Sequence, residues 1–246
     1  FWVPLEQRSP TSEFRDLAGQ ILPREGWRSV TQGVWTYFEP HGWTGLKQGW
    51  KLHVSATPAN ALAVLERVVR VVRDHPVAFK FASAPAMLGL ILSKNWPREG
   101  GGKFITLYPP DEAAFKSLGL LLAQATEGLD GPYILSDRRV PGSRIVFYRY
   151  GEHHAEESVD AQGGKVRQIE GPAGEKAQDQ RRGWFALPSW VHDPHGASPV
   201  KVVGESGDRP RLNGRYEVLG AIRYSNLGGI YHAHDVERDR PVIVRE

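Results

Sequence analysis

The feature that most constrains this chain is a set of short segments in which apolar and polar residues alternate. Trp50-Lys-Leu-His-Val-Ser turns Leu52 and Val54 one way and Lys51 and His53 the other, as in a strand with one buried face. Val77-Ala-Phe-Lys-Phe reads as a second strand carrying Lys80, and Lys103-Phe-Ile-Thr-Leu-Tyr as a third. Thr57-Pro58 joins an N-cap to a proline at the first helical position. It predicts a helix to about Asp74 that buries Leu62, Leu65, Val68, Val69 and Val72. His75-Pro76 ends that helix. A short helix is expected around residues 86–93 and another over 111–126, opened by Pro109-Pro110. Residues 133–135 and 144–150 read as strands, and the Gly-rich, polar stretch 160–180 as hairpin and loop. These ordered elements support an α+β chain.

The chain divides into four stretches. Residues 1–45 form an aromatic-rich N-terminal extension with Trp2, Trp27, Trp35, Phe38 and Trp43, rings expected to pack onto the main domain. Within it, Gly33-Val-Trp-Thr-Tyr-Phe alternates like a strand. Residues 46–195 form the main domain, 196–210 a Gly/Ser/Pro linker with charges, and 211–246 the start of another unit. The chain has no cysteine, which excludes disulfides, Cys-ligated metals and thiol nucleophiles. No apolar run approaches the ~18 residues of a membrane span. No basic region followed by an apolar stretch opens the chain, so no membrane partner and a cytoplasmic location are expected. The net charge of +3 permits an anionic substrate, but no basic arm or aromatic–basic ladder suggests nucleic acid.

Lys51, His53 and Lys80 are the polar residues of otherwise apolar strands. Alone they have ordinary readings: a solvated sheet face for Lys-x-His, an edge strand for Phe79-Lys-Phe81. Together they suit removal of a phosphate by elimination. Such a reaction needs a base for the α-proton, an acid for the leaving group and a cationic clamp. Lys80 is the candidate base, since burial between Phe79 and Phe81 and nearby cations would favour the neutral amine. His53 is the candidate acid. Lys51, Arg98, Arg139 and Arg149 are candidates for the clamp.

Five ordered motifs resemble one family. Gly49-Trp-Lys-Leu-His-Val-Ser-Ala-Thr-Pro, Phe79-Lys-Phe, Gly102-Lys-Phe-Ile-Thr-Leu-Tyr-Pro, Gly131-Pro-Tyr-Ile-Leu-Ser-Asp-Arg-Arg and Tyr148-Arg-Tyr-Gly are similar to the lyase domain of class III and class IV lanthipeptide synthetases. More distantly they resemble the phosphothreonine lyases of bacterial effectors. The likeness covers most of residues 25–195. It implies a twisted, largely antiparallel sheet with packed helices. It also implies metal-free elimination of phosphate from phosphoserine or phosphothreonine in a precursor peptide, leader plus core, giving dehydroalanine or dehydrobutyrine. By motif position Lys80 falls on the family's base, His53 on its acid, Lys51 on a phosphate-contacting lysine, Arg98 on a clamp arginine and Tyr108 on an active-site tyrosine. Arg139 and Arg149 fall on basic positions, with Arg138 and Arg144 competing for the contact given to Arg139. No cofactor is expected for the lyase domain. A nucleotide triphosphate and magnesium are expected only for the complete kinase that, with a cyclase, the family implies.

The tail resembles the first strands of a protein-kinase N-lobe: Arg215-Tyr-Glu-Val-Leu-Gly, Gly228-Gly-Ile-Tyr-His-Ala, Val242-Ile-Val-Arg. It keeps Gly228 of the glycine-rich loop, places Arg223 and Ser225 at the other glycine positions, and has Arg245 where the ATP-anchoring lysine is expected. Gly100-Gly-Gly-Lys103 fails the Walker spacing, with Pro97 for the first glycine and Phe104 for Ser/Thr. It reads instead as a loop delivering Arg98. His153-His154 and His192-Asp-Pro-His195 read as surface loops rather than metal ligands. The competing reading of the whole is a catalytically silent module that binds leader or phosphopeptide; the joint presence of His53 and Lys80 favours the lyase.

Overall fold

The computed structural model describes residues 12–23, 25–97, 100–153, 158–159, 165–166, 168–179, 185–196, 211–225 and 228–245. Its elements run α1 (Glu13–Ile21), β1 (Trp27–Gln32), β2 (Trp35–Pro40), β3 (Gln48–Val54), α2 (Ala61–Asp74), β4 (Ala78–Ala82), α3 (Pro85–Leu92), β5 (Ile105–Tyr108), α4 (Glu112–Ala125), β6 (Arg138–Arg139) and β7 (Val146–Glu152). Short hairpin strands follow, β8 (Ser158–Val159) with β9 (Lys165–Val166) and β10 (Gln168–Glu170) with β11 (Lys176–Gln178). The chain then enters a separate antiparallel sheet, β12 (Arg211–Leu212), β13 (Tyr216–Ser225), β14 (Gly228–Asp235) and β15 (Arg240–Arg245). The linker expected at 196–210 lies, beyond Gly196, outside the described residues.

The principal sheet has seven strands in the order β1-β2-β4-β5-β3-β7-β6, every pair antiparallel. The fold is therefore α+β with a largely antiparallel sheet. β1 and β2 are the outer strands on one side, so the sheet runs without a break across residue 45. β4 lies between β2 and β5. Lys80 is thus on an interior strand, which removes the edge-strand reading of Phe79-Lys-Phe81.

Alternation along each strand sorts the sheet into two faces. Phe38, Trp50, Leu52, Val54, Phe79, Phe81, Ile105, Leu107, Val146 and Tyr148 face the core with the helices. Trp50 stacks on Phe115 of α4 at 5.3 Å, and Phe38 stacks on Phe79 at 5.5 Å and on Phe81 at 5.8 Å. α1 packs on α2, and α2 on α4.

Three local expectations are corrected. α2 begins at Ala61 after Asn60, not at Pro58: residues 58–60 form a turn, in which Thr57 N–H donates to Asn60 Oδ1 at 2.9 Å. In α2, Ala61, Val64, Leu65, Val68, Val69 and Val72 face inward and Leu62 is 42% exposed. Residues 133–135 form no strand, since this segment runs irregularly over the sheet's other face. α4 follows expectation: Asp111 accepts from Ala114 N at 2.7 Å as its N-cap.

Candidate active site

The second face carries the chemistry-bearing residues, and strand register places them in one line across the sheet. His53 pairs with Thr106, Thr106 with Lys80, and Lys80 with Tyr37. On the other side His53 pairs with Phe147, and Phe147 with Arg139. Paired residues share a face, so Tyr37, Lys80, Thr106, His53, Phe147 and Arg139 all project the same way. Strands lie ~4.8 Å apart, so His53 and Lys80 are rooted two strands, ~10 Å, from each other. Thr106 lies between them and is itself buried. Lys51, paired with Arg149, and Tyr108, paired with Ala78, fall on this face one step along the strands.

Lys80 does not lie between its sequence neighbours. Phe79 and Phe81 turn to the core, and Lys80 Nζ lies 4.6 Å from the Trp35 ring centroid and 5.5 Å from that of Tyr37. Two aromatic faces, not two phenylalanine edges, surround this amine. The tryptophan that supplies one comes from the N-terminal 45 residues, as does Tyr37.

His53 is buried, and its Nδ1 meets Asp137 Oδ2 at 2.5 Å. The other Asp137 oxygen, Oδ1, accepts from Ser136 Oγ at 2.6 Å and takes Lys103 Nζ at 3.1 Å. Burial alone would raise the Asp137 pKa, but Lys103, His53 and Arg149 hold it well below the usual carboxylate range. Burial pushes the His53 pKa down to about 3 despite the opposing pull of Asp137. Asp137 is therefore ionised and His53 neutral. Because a carboxylate only accepts, Nδ1 carries the proton and Nε2 is bare.

Asp137 and Lys103 are the residues that sequence reasoning passed over. Both lie inside motifs quoted above, and the available signal was an aspartate two places after the apolar Leu135 and directly before two arginines. Nothing short of strand register connects it to His53, 84 residues earlier.

The cationic candidates separate clearly. Lys51 is buried and donates to the Glu152 carbonyl at 2.5 Å. Arg149 is buried and paired with the buried Asp179, which also accepts from Glu152 N at 3.2 Å. Gly151 makes this possible: a Cβ there would stand 2.8 Å from Asp179 Oδ2. Arg139 is exposed and lies over Tyr133 at 4.9 Å and Phe147 at 5.5 Å, on the His53 face. Its two competitors point elsewhere. Arg138 pairs with Tyr148 across the strands, takes the core-side face, and binds Asp193 at 2.5 Å. Arg144 is exposed and bound to Asp130 at 2.8 Å. Arg98 lies outside the described residues. Tyr108 is half-buried, edge-on to the His153 ring at 5.2 Å. His153 therefore packs inward, as does His195 against Phe115 and Tyr148, in place of the surface positions expected for both.

Comparison with known proteins gives three findings. A family model described as the N-terminal domain of RamC matches residues 16–203. A protein of Streptomyces coelicolor described as a probable SapB synthase is 36% identical across 97% of this chain and 25% of its own length. The chain thus spans about a quarter of that relative. Among solved structures, the phosphothreonine lyase OspF from Shigella flexneri aligns with a TM-score of 0.43 and 19% identity, over 57% of this chain and 76% of that one. SpvC from Salmonella aligns at 0.44 and 16%, over the same shares.

Proposed function

The chain belongs to the family of RamC N-terminal domains, and from that premise we propose that residues 46–195, completed by β1 and β2, form a phospholyase domain of a lanthipeptide synthetase. Its substrate is a phosphoserine or phosphothreonine of a precursor peptide. The observation that carries the reading is the lateral row in which Lys80 and His53 flank Thr106 on one face.

In the proposed reaction Lys80 Nζ takes the α-proton, the Cα–Cβ double bond forms, and the Cβ–O bond breaks with its electrons leaving on phosphate. His53 Nε2 delivers a proton to the departing oxygen. Asp137 fixes the ring through Nδ1 and stabilises the imidazolium when it forms. Since burial favours neutral His53, phosphate binding must bring about its protonation. A dianion beside the ring favours imidazolium as burial disfavours it. Lys51, Arg149 and Arg139 supply the positive charge around the phosphate, with Arg98 a further clamp residue. That arrangement makes the chemistry independent of a metal or organic cofactor. In a whole synthetase, nucleotide and magnesium would belong to a complete kinase, whose N-lobe β12–β15 would begin.

The test is incubation with a phosphothreonyl peptide followed by product mass. Loss of the elements of phosphoric acid supports a lyase. A product heavier by one water is the hydrolysed alcohol and refutes it.

A further inference from the structure

Next to the Lys80 row is a small cavity that the proposed mechanism does not use. It measures about 80 Å³, and Tyr37, Glu39, Trp43, Ala78, Tyr108 and His153 line it. Ala78 is paired with Tyr108 and lies two residues before Lys80 on the same strand, so the cavity opens on the catalytic face, one strand repeat of ~6.7 Å from the base. Its shape is built in. Ala78 is small enough to serve as floor, and Gly49 lets the His153 imidazole settle beside it, since a Cβ at 49 would stand 3.2 Å from that ring. His153 and Tyr108 then meet edge to face.

We propose that this cavity is a substrate subsite that takes a compact aliphatic side chain, of valine or leucine size, from a residue within two positions of the phosphorylated one. The proposal rests on the lyase reading for the placement of the phosphorylated residue. An extended peptide repeats its side-chain direction every second residue at the same ~6.7 Å, so a peptide lying along the strands with its α-carbon at Lys80 sends a neighbouring side chain here. The lining selects the chemistry. Among the described residues, no lysine or arginine lines the cavity to hold an anion. A cation would find Glu39 engaged by Arg28 at 2.5 Å and the Tyr37 ring already approached by Lys80 Nζ. At about 80 Å³ the cavity is small, which favours a compact side chain.

The experiment uses the full chain and synthetic phosphothreonyl peptides in which one position, from two before to two after the phosphorylated residue, is Gly, Val, Leu, Lys or Trp. At one position the wild type should favour Val or Leu over Gly by about tenfold or more in kcat/KM. Ala78→Val, a residue type suited to a strand, fills the floor and should reduce that preference to about threefold or less, while the Gly peptide reacts at close to the wild-type rate. Trp43→Ala opens one wall and should shift the preference from Val towards larger side chains. No preference at any position overturns the proposal, as does preference for Lys or Trp, an Ala78→Val variant that keeps the preference, or one that slows all peptides equally. Dissociation constants of the same peptides on Lys80→Met separate the two readings. Aliphatic preference in binding without elimination by the wild type supports the subsite and sinks the lyase. Elimination without preference sinks the subsite alone.

Discussion

Asp137 does more for the proposed chemistry than its absence from any catalytic pattern suggests. It is buried and surrounded by cations, and it ties the Nδ1 side of His53 so that only Nε2 can meet the leaving phosphate. The same burial leaves His53 without the proton it must donate. Binding should therefore be linked to proton uptake. Above pH 7 the phosphate is already a dianion, so a proton taken up on binding must enter the protein. Affinity should then fall as pH rises, by up to about tenfold per unit for one whole proton. Calorimetry on Lys80→Met in buffers of different ionisation enthalpy measures that uptake directly. Asp137→Asn should diminish it, and His53→Ala should abolish it and slow elimination in the wild-type background by about 10²-fold or more. Uptake unchanged in His53→Ala would move the proton elsewhere.

At the scale of elements, the sheet separates stability from chemistry. Strand alternation sends every second residue to α1, α2 and α4, and the rest to the substrate side. α2 gives a direct check. Leu65 is fully buried and Leu62 is 42% exposed. Leu65→Ala should cost about 2–5 kcal/mol of unfolding free energy, whereas Leu62→Ala should stay within about 0.5 kcal/mol, as read from denaturant midpoints. The reverse order would contradict the buried face assigned here to α2. Sequence marked α4 well, because Asp111 caps it by side chain as its type predicts. It misplaced the start of α2 because the turn chemistry of Asn60 competed with that of Thr57-Pro58. It read Lys80 as lying between phenylalanines because adjacency in sequence is opposition across a strand. The order of strands was not in any local pattern: β2 reaches β4, and β5 slips between β4 and β3, through pairings that only the folded chain defines.

For the whole molecule, the central claim is that one face of one sheet carries both proton transfers. It joins residues from β2 to β7 and excludes Arg138 and Arg144, which sequence could not separate from Arg139. The most direct measurement follows the α-hydrogen. A phosphothreonyl peptide carrying deuterium at the α-carbon of the phosphorylated residue is incubated with wild type and with Lys80→Met, with product mass, deuterium content and peptide binding recorded. The account predicts that the wild type releases phosphate and α-deuterium together, more slowly than from the protonated peptide when proton removal limits the rate. It predicts that Lys80→Met binds the peptide yet releases neither. Phosphate leaving while the α-deuterium stays would contradict elimination. Loss of both at the wild-type rate from Lys80→Met would contradict the base assigned here.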